Sequence, residues 1–430
     1  MRRERGLQEL HRGDPGRADA FVLGRRGALK RAGLAAVAGA LGAAIPFGRF
    51  MPPGYLPVAL AQDARLSLPG KSGDLVVLGD KPLVAETPAH LLDDDVTPTA
   101  LHYVRNNGLI PEAPADPDAW ELAVDGAVGT PLRLKLGELR VRFENVTAAL
   151  VLECGGNGRT QFVPAARGNP WTTGGVGCAR WTGVRLRDVL AAAGPGPGAV
   201  YTAHHGADPH LSGDPAKVPL SRGVRLAKAM DPGTLIAFAM NGEPLPAAHG
   251  APVRLVVPGW TGSASQKWLT RIELRDVEHD GPGMTGTSYR VPAAPIVPGG
   301  ESKGEGFRIL ESMPVKSLIT APADGTRLPA GARDLEVRGH AWAGDLEVGE
   351  VWTSLDFGQS WQAAALDRPP NPYAWQRWRA AVRLPTHGYY EVWARAVDAE
   401  GRSQPFAAPN WNPGGYGGNA YHRIAVLAEA

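Results

Sequence analysis

Glycine and proline interrupt this chain so often that turns must set its shape. There are 55 glycines and 39 prolines in 430 residues, about a fifth of the sequence. Proline removes a backbone donor, and glycine weakens any regular element it enters. That density favours short strands and many turns over long helices. A hydrophobic share of 43% is ordinary for a folded protein and excludes wholesale disorder. Basic and acidic side chains nearly cancel, and the net charge of +2 gives no support for a nucleic-acid binder. Two cysteines, Cys154 and Cys178, are too few for a disulfide-dense scaffold or a cysteine-only metal cage.

The first 61 residues read as an address. R-R-G-A-L-K at 25–30 is followed by an Ala/Gly-rich apolar run at 32–45 and by A-L-A at 59–61. Twin arginines, a weakly hydrophobic run and a small-x-small site form a twin-arginine export leader. The run is too short and glycine-rich for a membrane span, so none is expected after cleavage behind Ala61. The expected location is therefore the periplasm.

Texture divides the remainder. From Trp120, segments such as E-L-A-V-D-G-A-V (121–128) and T-A-A-L-V-L-E-C (147–154) read as strands. V-R-L-R-D-V-L-A-A-A (184–193) reads as a helix that stops at G-P-G-P-G. P-A-A-P-I-V-P-G-G at 292–300 reads as a linker. Beyond 305, segments such as L-E-V-R-G-H-A-W and Y-Y-E-V-W-A-R-A-V-D alternate with period two. Seven of the twelve tryptophans also lie beyond residue 300. The expectation is an α+β chain, with a mixed, β-rich domain over 62–304 and an immunoglobulin-like β-sandwich over 305–430.

The strongest local feature is L-E-C-G-G-N-G-R at 152–159. A buried strand runs into Cys154, and the two glycines let the backbone turn tightly behind it. A thiolate there would stand on a rigid element, with Arg159 near enough to favour its ionised form. Two other readings stay open on the residues alone: a buried, inert thiol, or a disulfide to Cys178.

Five strings occur in a telling order. They are Y-V-R-N-N at 103–107, C-G-G-N-G-R at 154–159, W-T-T-G-G-V-G-C-A-R-W-T-G-V-R-L-R-D-V-L at 171–190, M-N-G-E-P-L-P-A-A-H-G-A-P-V-R-L-V-V-P-G at 240–259, and S-Q-K-W-L at 265–269. This set resembles the sulfite oxidase family of molybdenum enzymes over about residues 80–430, including a C-terminal dimerisation sandwich.

The resemblance implies a molybdenum–molybdopterin cofactor, with the metal held by one pterin dithiolene, oxo groups and Cys154. Thiolate is a soft donor suited to such a metal. Cys178, in an apolar stretch, reads as core. The resemblance places Arg105, Arg159 and Arg423 around a small oxyanion, where guanidinium forks supply charge and directional donors. Tyr289 matches an active-site tyrosine and Trp171 a pocket wall. For the cofactor it implies Tyr103, Val104, Arg105, Asn106, Asn107, Asp208, His249, Arg254, Ser265, Gln266 and Lys267. Asn107 departs from the family, where histidine is common at that position.

The chain carries no C-x-x-C-H string, so no haem is expected on it. The implied activity is a sulfite dehydrogenase passing electrons to a separate c-type cytochrome, and the implied assembly is a homodimer. A sulfane dehydrogenase or another oxo-transfer enzyme on the same scaffold is a rival. A non-catalytic exported binding protein is a rival of another class.

Overall fold

The computed structural model describes residues 66–430. The expected leader, residues 1–61, lies outside the described residues. Three short antiparallel strands come first: β1 (Val76–Asp80), β2 (Leu83–Glu86) and β3 (Val104–Arg105). Next come β4 (Glu121–Gly126), β5 (Leu132–Lys135), helix α1 (Leu136–Arg142), β6 (Asn145–Glu153), β7 (Val176–Arg185) and helix α2 (Leu186–Ala193). This half continues with β8 (Tyr201–Gly206), β9 (Arg222–Arg225), helix α3 (Leu226–Ala229), β10 (Leu235–Met240), β11 (Glu243–Pro244), β12 (Arg254–Val256) and β13 (Leu269–Arg275). A two-stranded ribbon of β14 (Arg290–Pro292) and β15 (Phe307–Ile309) leads out of it.

Two sheets build that half. One runs β11-β10-β7-β6, with β12 also on β10, and the other runs β5-β4-β13-β8-β9. Their apolar faces meet in a core that includes Leu122, Val184, Ile236, Leu255 and Ile272. Helix α2 buries Leu186, Val189, Leu190 and Ala193, the spacing of one helical face. It stops at Gly194, whose φ of +66 lets its N–H reach back to Leu190 O at 3.0 Å.

Beyond the ribbon the chain is all strand. One sheet holds β16 (Lys316–Ala321), β18 (Asp334–Trp342), β21 (Ala365–Leu366) and β22 (Gln376–Arg383). The other holds β17 (Thr326–Leu328), β19 (Val348–Ser354), β20 (Gln362–Ala363), β23 (Gly388–Asp398) and β24 (His422–Ala428). Alternate residues point inward to a shared core that includes Val337, Val351, Trp378, Val392 and Val426. The result is an α+β region followed by a β-sandwich. Among the described residues no helix is long and apolar enough to cross a membrane.

Strand parity on β6 joins the two halves. Leu150, Leu152 and Cys154 pack to one side with Tyr103, Trp171 and Trp181. Val151 packs to the other side with Leu318, Trp342 and Trp375 of the sandwich region. Glu153 points the same way as Val151. Its carboxylate accepts from Lys316 Nζ, from Asn157 Nδ2 at 2.9 Å and from Trp342 Nε1 at 2.8 Å. Every buried oxygen of that carboxylate therefore has a partner, the condition for burying a charge.

Candidate active site

A cavity opens where β3, the end of β6 and the loops before β13 and β14 converge. Its lining includes Tyr103, Arg105, Asn107, Cys154 and Tyr289 at one end and His249, Arg254, Ser265, Gln266 and Lys267 at the other. Asn106 and Asp208 lie on its wall, and with its mouth it spans about 630 Å³.

Cys154 follows the last residue of β6. Its N–H donates to Gly175 O at 2.8 Å, and its own carbonyl accepts from Asn157 N–H at 2.9 Å, closing the turn behind it. Both cysteines are free thiols, so the expected alternative of a Cys154–Cys178 disulfide is set aside. Tyr289 stands close by with φ of +50, an unusual backbone state for tyrosine. Its hydroxyl donates to Asn107 Oδ1 at 3.4 Å. Arg105 faces the cavity from β3, with Nη1 on Asn106 O.

The far end is cationic and buried. Lys267 Nζ donates to Asn106 Oδ1 at 2.6 Å and to Ala248 O at 2.5 Å. Burial, then Arg254, holds the Lys267 ammonium well below its usual pKa. Arg254 donates to His249 O at 2.9 Å and Ser265 O at 3.0 Å, and burial brings its pKa down to about 10. Among the described residues lining the cavity, Asp208 alone is a carboxylate, and burial raises it to about 6. One acid against these cations leaves the end short of negative charge.

Several expected residues lie elsewhere. Arg423 is on β24, where Ile424, Val426 and Ala428 are the inward positions and 423 faces outward. Its side chain is 62% exposed and sits 3.5 Å from Glu391, so within this chain it lies on the sandwich surface and does not line the cavity. Val104 is also corrected. It alternates with Tyr103 and Arg105 and so turns away from the cavity, into a cluster with Leu75, Ala85 and Ala248. Trp171 is fully buried behind Tyr103, edge-on at 5.9 Å, and does not form the cavity wall.

Arg159 takes an intermediate place. Its guanidinium donates to Gly414 O and Asn169 O, both at 2.7 Å, and lies 5.4 Å over the ring of Tyr416. Tyr416 stacks on Tyr289 at 5.0 Å. On the other side, Arg222 lies 4.7 Å over Tyr289 and is almost wholly buried. Two guanidinium groups thus bracket a stacked tyrosine pair, a cation–π arrangement that holds Tyr289 in place. Sequence reasoning missed Arg222 and Tyr416. The signal for Arg222 was an arginine two residues before the inward Val224, on the same face of β9.

A model described as oxidoreductase molybdopterin binding domain matches residues 107–282, and one described as Mo-co oxidoreductase dimerisation domain matches 308–429. Sulfite oxidase of Gallus gallus is 35% identical over 374 residues, 84% of this chain and 80% of that protein. The chain belongs to the sulfite oxidase family of molybdopterin-dependent oxidoreductases. Homo sapiens mitochondrial sulfite oxidase is 34% identical, over 87% of this chain and 69% of its own length. The sulfane dehydrogenase SoxCD of Paracoccus pantotrophus superposes with a TM-score of 0.67 at 25% identity, covering 88% of this chain and 94% of that one.

A molybdenum–molybdopterin cofactor is what this family member works with, and the cavity fits it. Among the described residues, His102 Nε2, Asn106 Nδ2 and Gln266 Oε1 are buried on its lining without a partner. Such orphans are costly unless a polar ligand meets them, as the ring edges of a pterin would. The cationic end suits its phosphate. Among the described residues no group of three or more His, Cys, Asp or Glu could cage a metal. A metal at Cys154 must therefore bring most of its own ligands, as a dithiolene-bound metal does.

Proposed function

We propose that this chain is an exported, periplasmic sulfite dehydrogenase that forms a homodimer and passes electrons to a separate c-type cytochrome. The observation that carries the reading is a free Cys154 in one cavity with Arg105 and Tyr289, in a chain 35% identical to a sulfite oxidase over most of both lengths. The export motif and the dimerisation-domain match support the location and the assembly. Sulfite and water give sulfate, two electrons and two protons. When bound, the cofactor supplies the two-electron oxygen-atom transfer.

The chain's residues do the rest. Cys154 supplies the thiolate that holds the metal. Arg105 faces the cavity and offers a charged fork to an anion. Tyr289 can turn its hydroxyl from Asn107 to a bound oxyanion, and the rings and cations stacked on it limit how far it moves.

A sulfane dehydrogenase activity is the second reading, favoured by the likeness to SoxCD and by Arg423 facing away from the cavity. Molybdenum content, followed by cytochrome c or ferricyanide reduction with sulfite or with a carrier-bound sulfane as donor, separates the two. Sulfite-dependent reduction at about one molybdenum per chain supports the proposal. Reduction by the sulfane donor alone overturns it, and a metal-free, inactive protein from cofactor-producing cells overturns both readings.

A further inference from the structure

Lys71 lies in a Gly/Pro-rich stretch ahead of β1 to which sequence reasoning gave no role, yet it reaches the cationic end of the cavity from behind. Its Nζ donates to Thr99 O at 2.6 Å and to His102 O, and lies 3.1 Å from His249 Nε2. His249 is almost wholly buried and lines the cavity, whereas Lys71 does not. Among the described residues nothing bonds to His249 Nδ1, the nitrogen left for the cavity.

Proton counting fixes the chemistry of this trio. An ammonium has three hydrogens and no lone pair. With two hydrogens on carbonyls, the third must go to His249, so Nε2 accepts and the ring proton sits on Nδ1. A neutral amine has two hydrogens, both taken by the carbonyls, and one lone pair. That state makes Nε2 the donor and leaves Nδ1 as a bare acceptor. Both states satisfy every atom in the trio, but only the first offers a donor to an anion in the cavity.

We propose that Lys71 is a positioning residue that sets the tautomer of His249, so that its imidazole turns an Nδ1–H toward the anionic group of the cofactor, and that this anion in turn holds Lys71 as the ammonium. The proposal rests on the reading of this end as the seat of the cofactor's phosphate. The groups around the pair are His102, Arg254 and Lys267, with no carboxylate among those bearing on it. Burial alone brings Lys71 down to about 7, and burial, then Lys71, holds His249 well below its usual pKa. The two proton states are therefore close in energy near neutral pH, and a phosphate dianion is the charge that decides between them. Binding takes up a proton at Lys71 Nζ and leaves His249 neutral.

The test uses the holoenzyme with 15N-labelled histidine, the His249 signals being assigned by difference from His249→Gln. At neutral pH the wild type should show a protonated Nδ1 and a bare Nε2. In Lys71→Met the pattern should change, and the pterin released on dialysis, measured by its fluorescence, should leave about tenfold faster, the usual scale for groups that orient a ligand. Lys71→Arg keeps the donors and should restore both. An Nε2–H tautomer in wild-type holoenzyme overturns the proposal even if Lys71→Met does not accumulate. So does a Lys71→Met enzyme with unchanged tautomer and pterin retention. If His249→Gln itself keeps its pterin as tightly as the wild type, the reading of this end as the phosphate seat fails, and the proposal goes with it.

Discussion

Cys154, just past the end of β6, and Cys178, on the neighbouring strand β7, are both buried and both free, yet only one opens on a cavity. Cys178 sits mid-strand on β7, opposite Val151, packed with Leu92, Leu318, Trp342 and Trp375. Burial pushes its thiol up to about 12, so it has almost no thiolate at neutral pH. Cys154 sits one residue past the end of β6, where the glycines turn the chain away and leave a space in front of it. A Cβ at Gly156 would press on the guanidinium of Arg159 and make it shift. Place along the strand, more than residue type, separates a thiol that opens on a cavity from a core atom.

The largest expected effect comes from Cys154→Ser. The hydroxyl is a harder, weaker donor, so sulfite-dependent turnover should fall to the level of the cofactor-free protein while the melting temperature stays close to wild type. Turnover within tenfold of wild type would remove Cys154 as the metal's ligand.

Next in size is the tie on the opposite face of β6. Lys316→Met strands the buried Glu153 carboxylate, whose side chain is 3% exposed. Breaking a buried pair from one side costs about 3–5 kcal/mol, read as a lower urea midpoint. Because Glu153 immediately precedes Cys154, turnover should fall as well. Loss of stability with unchanged turnover would show that the cysteine end tolerates a loosened junction.

A smaller effect is expected at the core cysteine. Cys178→Ser places a hydroxyl in an apolar cluster and should cost about 1–3 kcal/mol, while Cys178→Ala, which opens a small void, should cost less. Neither should alter turnover, and native Cys178 should resist iodoacetamide at pH 8. Rapid labelling of Cys178 in the folded enzyme would contradict its sealed position.

The sequence made some of this legible and hid the rest for identifiable reasons. A continuous apolar run marked β6, which is buried on both faces at its end, and period-two alternation marked most sandwich strands, because one buried face leaves that trace. The glycines after Cys154 marked the turn at the cavity floor. Val104 could have been sorted by the same alternation, since Tyr103 and Arg105 flank it, but a contiguous motif suggests that all its members face one way. Arg222, Tyr416 and Lys71 reach the site across long stretches of sequence, and no local period encodes such contacts. Trp171 illustrates a different limit: motif position places a large ring near the site without saying whether it lines the cavity or backs the residue that does.

Arg423 gives the smallest and most discriminating prediction. On β24 it alternates with Ile424 and Val426, so the pattern that buries those two turns its guanidinium to solvent beside Glu391. An exposed pair of this kind contributes about 0–1 kcal/mol. Arg423→Ala should therefore leave kcat and the KM for sulfite within about twofold of wild type, and the urea midpoint nearly unchanged, in contrast to the collapse expected for Cys154→Ser. A KM raised tenfold or more would mean that Arg423 meets the substrate in the working assembly, and that an outward-facing strand residue of one sandwich completes a pocket from which its own fold points it away.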